Sequence, residues 1–539
     1  MKASDLFVKC LEEEGVEYIF AVPGEENLDL LESLRTSTIK VIVTRHEQAA
    51  AFMAATFGRL TGKVGVCLST LGPGATNLIT GIAHAQLGGM PVLAITGQKG
   101  IRDNYQANFQ VLDIVNLMRP ITKRAVQIQS PKTIPEEIRE ACKTATRERQ
   151  GPCHIELPED IAKEQVDEKY QPHAAVRQRR PVADHKGIVQ AAGLIQAAAH
   201  PIIIVSSRAQ RNMVSAAIKT FCDATNIYVI HTQLGKGVLG DDHTNSLYSF
   251  GINKKDLVNK AIDQADLIIT VGYSTVEHPP SVWNRDLDKK ILHVDFNQAE
   301  VDTYYNPVCE VVGDIAFSLD QLREQLRMYH HSGEFEKKLR TDLDRKHYDE
   351  GSDDSNYPLR PRRIVADVRK VMGRDDFVCL DNGIYKMWFS RHYKTYTFGT
   401  FLLDNTLATM GAGLPSAITA KLVHPFKKVL AVVGDGGFMM NSQELETAVR
   451  LGLNIVVLIL NDNAFGFIKW KQQAYGFKDF ALDYGNPDFV KYAESYGAKG
   501  WKVKKAEELM VILKKAFEQK GPVLIECPID YSENAKMWG

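Results

Sequence analysis

Lys428-Val-Leu-Ala-Val-Val433 runs straight into Gly434-Asp435-Gly436-Gly437, and a stretch of helical spacing then leads to Ile455-Val-Val-Leu-Ile-Leu460 and Asn461-Asp462-Asn463. Short β-branched runs separated by a helical period predict a parallel strand, crossover helix, parallel strand unit. Both loops then leave adjacent strand ends on the same edge of a sheet, where parallel α/β sheets bind ligands. Working outward, the same alternation recurs at Lys40-Val-Ile-Val-Thr44 and Ile202-Ile-Ile-Val205, so the expected fold class is α/β throughout.

An internal echo links the two ends of the chain. Lys63-Val64 opens a strand that reaches Gly72-Pro73-Gly74, a helix, and Leu87-Gly-Gly-Met-Pro-Val-Leu-Ala-Ile95, in the same order as the stretch from Lys428 to Leu460. Lys163 to Asp184 and His330 to Arg363, rich in Pro, charge or Gly/Ser, read as surface connections. They predict three domains, 1–165, 184–330 and 358–539. Two similar parallel-sheet domains would then flank a Rossmann-like middle one.

The 539 residues are 44% hydrophobic and 24% charged, too long for one core. Lys plus Arg total 65 against 66 Asp plus Glu, which leaves no basic surplus for nucleic acid or a membrane surface. No apolar run approaches the ~20 residues that span a bilayer. The start, Met1 to Glu14, is unlike a signal or transit peptide, and eight scattered cysteines without a Cys-x-x-Cys pair read as reduced core thiols. A cytoplasmic enzyme is expected.

Asp435 and Asp462 are candidate magnesium ligands: hard carboxylate oxygens, with a main-chain carbonyl near Ala464 and phosphate oxygens completing the shell. The bare residues also allow two helix caps or turn formers. Glu47 follows strand Lys40 to Thr44, where burial of a carboxyl is costly without a partner and favours its protonated form.

Gly-Asp-Gly followed at this distance by Asn-Asp resembles the signature of thiamine diphosphate enzymes, and the three-part chain is similar to that family's pyrimidine-binding, middle and diphosphate-binding domains. The resemblance implies thiamine diphosphate and Mg2+ as cofactors, held by Gly383, Gly434, Asp435, Gly436, Gly437 and Asp462, with Ala464, Phe465, Gly466 and Phe467 beside them. It makes Glu47 the catalytic acid that contacts the aminopyrimidine ring, places Gly72, Pro73 and Asn77 beside that ring, and makes Met410 the prop that bends the cofactor. It also implies active sites shared between subunits, hence a homodimer or homotetramer.

Phe109-Gln110 and Arg119-Pro-Ile-Thr-Lys123 resemble the acetolactate synthase subgroup, in which a glutamine faces the reacting carbon. An amide orients a second substrate without protonating the carbanion. Pyruvate is the implied substrate: one molecule is decarboxylated, and the bound hydroxyethyl carbanion condenses with a second to give 2-acetolactate. The alternatives are another 2-keto acid decarboxylase or carboligase with a different acceptor, or an inactive cofactor-binding paralogue. Ser206-Ser-Arg-Ala-Gln210 and Gly272-Tyr-Ser-Thr-Val-Glu277 replace the flavin-binding turns of biosynthetic relatives, so FAD is expected to be absent, as in catabolic ones. Two departures stand out. Lys471 stands where relatives carry Trp or Gln, and Asp381-Asn382-Gly383-Ile384-Tyr385 lacks the usual Gln-His or Ser-His. A regulatory subunit is compatible with the family, but nothing in the sequence indicates one.

Overall fold

The computed structural model describes residues 1–102, 108–176, 179–253, 256–349 and 351–534. It forms two compact units. The first comprises Met1–Arg179 together with Thr406–Phe426 and Met439–Leu453, and the second comprises Arg180–Asn405, Lys427–Phe438 and Asn454–Gly539.

In the first unit, strands β1 (Tyr18–Ala21), β2 (Lys40–Val43), β3 (Gly65–Ser69), β4 (Val92–Gln98), β5 (Arg124–Gln127) and β6 (Pro152–Pro158) pair in parallel in the order β2-β1-β3-β4-β6-β5. The central strands β3, β4 and β6 are buried along their whole length, which explains their near-continuous apolar runs. Helix Glu47–Thr61 is favoured by its alanines, starts with the His46 side chain accepting from the Gln48 amide, and stops at Gly62 in the left-handed region. Its small residues permit close approach of helix Gly72–Gly88: a Cβ on Gly81 would fall 2.3 Å from the Ala51 Cβ. Helix Gly413–Val423 packs on the same helix, with the Thr56 and Ser416 hydroxyls 2.9 Å apart.

The second unit holds two sheets. Strands β7 (Pro201–Val205), β8 (Tyr228–His231), β9 (Ser246–Ser249), β10 (Leu267–Val271), β11 (Lys290–Asp295) and β12 (Cys309–Val312) lie in the order β12-β11-β10-β7-β8-β9. That is the doubly wound order of dinucleotide-binding folds, and the middle part is Rossmann-like as expected. Strands β13 (Phe377–Leu380), β14 (Phe401–Leu402), β15 (Val429–Gly434), β16 (Val456–Asn461), β17 (Lys499–Lys502) and β18 (Val523–Pro528) take the order β14-β13-β15-β16-β18-β17. This repeats the order of the first sheet strand for strand, so the echo in the sequence is an echo in topology. The centre of the sheet is apolar throughout, and Leu458 is completely buried in it. Replacing such a leucine with alanine costs about 2–5 kcal/mol.

The structure corrects the reading of 330–363 as surface connection. Residues Glu334–Asp344 form a helix whose Phe335, Leu339 and Leu343, four residues apart, pack into an apolar cluster of the middle sheet. Charge on the other helix face masked that stripe. All eight cysteines are buried free thiols. Among the described residues, no helix is long and apolar enough to cross a membrane.

Candidate functional site

The expected site residues fall into two groups, one in each unit. In the second unit, β15 ends at Gly434, and Asp435-Gly436-Gly437 forms the first turn of helix Asp435–Met440. The neighbouring β16 ends at Asn461, leaving Asp462 in the loop beyond it and Asn463 in the left-handed region at φ 54°. Asparagine tolerates that conformation better than most residues. The Asn486 amide donates to Asp435 Oδ2 at 2.7 Å, to Asn463 Oδ1 at 3.0 Å and to Asn461 Oδ1 at 3.3 Å, tying both loops together.

Electrostatics mark the two aspartates as partners. Burial raises the Asp435 carboxyl above its ordinary range. Burial, then the charge of Asp435, push Asp462 up to about 7. Two desolvated carboxyls, one of them raised further by the charge of the other, are stabilised as a charged pair by a cation. Among the described residues no cluster of three or more His, Cys, Asp or Glu side chains is poised for a metal. The donors here are instead hard oxygens, two carboxylates and the nearby Ala464 carbonyl, which suits magnesium.

Missing side chains shape the surroundings. A Cβ on Gly437 would come within 2.9 Å of Asp381 Oδ2, and one on Gly466 within 2.5 Å of Asp462 Oδ2. Beneath the turn, the Gly434 amide donates to the buried Tyr385 hydroxyl at 2.8 Å. Asn382 and Gly383 follow β13 on the same sheet edge. The residues present therefore fit a magnesium diphosphate: glycines for close backbone approach and paired acids for the metal. Phe465 packs on Tyr484, and Phe467 lies on helix Gly466–Ala474 with Lys471, whose ammonium sits 5.9 Å from the Phe467 ring and 4.7 Å from that of Trp470. Asp462 also reaches a cavity of about 680 Å³ walled by Lys469, Trp470 and Gln473 of that helix and by Asp530, Tyr531 and Ser532.

In the first unit, Glu47 is the first residue of its helix and is buried, with the Asn77 amide donating to its Oε2 at 3.0 Å. Asn77 comes from helix Gly72–Gly88, whose first turn holds Gly72 and Pro73. The turn before Glu47 is held by Glu444: the Arg45 amide donates to its Oε1 at 2.9 Å. Next to Glu47, Gln48 Oε1 accepts from the Asn441 amide, which donates equally to the Gly411 carbonyl beside Met410, both at 2.9 Å. The structure thus joins the Glu47 turn and the Met410 turn through Asn441. Gln110 lies exposed, with φ 61°, over the Gly72 turn. The two border an open cavity of about 510 Å³ with Pro73, Thr76, Asn108 and Leu112.

Asn441, Glu444 and Asn486 were not singled out from the sequence, and Tyr385 stood out only as the end of an atypical turn. An acid or amide beside a glycine turn is common in loops and helix starts, and only its partners give it meaning.

Comparison with known proteins shows the family. Family models of thiamine pyrophosphate enzymes match the chain in three places: the N-terminal TPP binding domain over residues 1–117, the central domain over 188–322 and the C-terminal TPP binding domain over 381–527. The chain belongs to the thiamine pyrophosphate enzymes. Within them it is 34% identical to the acetolactate synthase of Bacillus subtilis (strain 168), over 99% of this chain and 94% of that one. It is equally 34% identical to the catabolic acetolactate synthase of Raoultella terrigena (99% and 96% covered) and to a probable acetolactate synthase large subunit of Methanocaldococcus jannaschii (100% and 93%).

Proposed function

We propose that the protein condenses two molecules of pyruvate into 2-acetolactate with release of CO2, using thiamine diphosphate and Mg2+. The observation that carries this reading is the wall around Gln110. Gly72, Pro73, Thr76, Asn108, Gln110, Val111 and Leu112 line that cavity, and none of these described residues ionises. A lack of acids among these described lining residues favours carbon–carbon bond formation over protonation, because amides and a hydroxyl orient a carbonyl oxygen rather than protonate a carbanion. The names of the relatives support the same reaction.

When bound, thiamine diphosphate supplies the electron sink for decarboxylation. Asp435, Asp462 and the Ala464 carbonyl would hold the magnesium, and Gly383, Gly434, Gly436 and Gly437 would admit the diphosphate. Phe465, Gly466 and Phe467 would border the cofactor, and Met410 would support its bend. Glu47 moves the activating proton at its Oε1, while the Asn77 amide on Oε2 fixes the orientation of the carboxyl. Gln110 donates its amide to the acceptor oxygen. Glu47 and the two aspartates act together in a homodimer or larger homo-oligomer, and the three domains are 1–165, a middle one from 184 to the end of helix Glu334–Asp344, and 358–539.

FAD is not part of this reading. At the carboxyl ends of β7 and β10, Glu277 accepts from the Ser206 and Thr232 hydroxyls and the Leu234 amide, and Arg208 pairs with Asp295 and Glu300. The Glu277 carboxylate and the Arg208 guanidinium are thereby engaged with groups of the chain itself. A cytoplasmic location fits the eight buried thiols. Feeding carbon-13 pyruvate to the magnesium-loaded protein tests the proposal by NMR: acetolactate supports it, acetaldehyde points to a simple decarboxylase, and no turnover to an inactive paralogue.

A further inference from the structure

Lys386 is a buried lysine on helix Ile384–His392, and its ammonium has three acceptors: Asn382 Oδ1 at 2.6 Å, Asn405 Oδ1 at 3.0 Å and the Asp404 carbonyl at 3.1 Å. Three hydrogen bonds saturate an ammonium and fix its place. The chain of contacts continues toward the glycine turn. The Asn382 amide N–H donates to Asp381 Oδ1 at 2.7 Å, and Asp381 Oδ2 in turn stands 2.9 Å from where Gly437 would carry a Cβ. Lys386 thus anchors the turn that follows β13.

We propose that Lys386 is a cofactor-positioning residue, whose ammonium fixes the Asn382-Gly383 turn and supplies the positive charge there that favours the diphosphate of thiamine diphosphate. The proposal rests on the reading of that turn as the diphosphate site. Asp404, Glu277 and Asp381 face the ammonium and favour its charged form, but burial outweighs them and brings Lys386 down to about 8. A diphosphate nearby stabilises the charged ammonium, so affinity is complete below about pH 8 and falls as pH rises beyond it, by up to about tenfold per pH unit.

The test is titration calorimetry of thiamine diphosphate into the magnesium-saturated protein from pH 7 to 9.5, for the parent and for Lys386→Met, Lys386→Gln and Lys386→Arg. The expected result is a Kd raised about 10- to 100-fold in the Met and Gln variants at pH 7.5, with the fall above pH 8 abolished. Lys386→Arg, which keeps its charge across this range, should restore most of the affinity and give a flat profile. Melting curves without cofactor show whether each variant folds. A parent that binds and a folded Lys386→Met variant with the same Kd and pH profile would overturn the role of Lys386. A parent that takes up no cofactor would instead overturn the reading of the turn as the diphosphate site.

Discussion

The carbonyl oxygen of Gln110 lies 2.6 Å from the point where a Cβ on Gly72 would stand. Both residues have left-handed backbone, φ 49° at Gly72 and 61° at Gln110. Glycine accepts that conformation freely, whereas for glutamine it is strained, and strain at one exposed polar residue beside a cavity is the mark of an imposed position.

Gly72→Ala should therefore displace the 108–112 segment while leaving the magnesium site intact. Acetolactate formation should fall about 100-fold, with acetaldehyde rising as a share of product. Product analysis by NMR checks this, and an unchanged product ratio would detach Gln110 from acceptor positioning.

Glu47→Gln keeps the contact with Asn77 but removes the carboxyl that would relay the proton. Exchange of the thiazolium C2 proton, followed by NMR in deuterated buffer, should slow by about 100- to 10,000-fold. The Kd for thiamine diphosphate should stay within a few-fold. Exchange at the parental rate would take Glu47 out of the activation step.

Three buried carboxyls, Glu156, Glu444 and Asp462, are each pushed up to about 7, in every case mainly by burial. A carboxyl whose folded pKa exceeds its unfolded value contributes stability that is complete below about pH 4 and is lost as pH rises through 7. The metal-free protein should accordingly lose Tm between pH 5 and pH 8. Magnesium should restore the share due to Asp462, and Asp462→Asn should raise the metal-free Tm at pH 8 while abolishing the magnesium effect. Calorimetric melting across that range decides it, and a flat metal-free profile would refute it.

Arg208 is buried between Asp295 and Glu300 at the switch point of the middle sheet. Added FAD should leave both Tm and product yield unchanged. Arg208→Ala, which strands the fully buried Asp295, should destabilise the protein by about 3–5 kcal/mol in denaturant unfolding. A flavin-dependent rise in Tm would show that the crevice opens.

The placement of much of the candidate site at strand ends was legible in the chain because the pattern behind it is local. Gly434-Asp435-Gly436-Gly437 and Asn461-Asp462-Asn463 each follow a strand so apolar that its burial was evident, and parallel pairing alone brings their ends to one edge. Glu47 was singled out by its place after strand β2, although that strand is a partly exposed edge strand and not a buried one. Helix Glu334–Asp344 was misread because three apolar residues among many charges leave a weak signal until a surface exists for them to cover.

Sequence alone determined the α/β class, the repeated strand–glycine turn–helix–strand plan and the acids at the strand ends, since periodicity and turn chemistry act over a few residues. Only the tertiary structure decided that Glu444 supports the Glu47 turn, that Asn441 joins it to the Met410 turn, and that Lys386 reaches Asn382, Asp404 and Asn405 at once. The first two relationships cross some 400 residues of chain. The hydrogen-bond partner of a buried polar group is chosen by packing in three dimensions, and spacing along the chain carries almost no information about it.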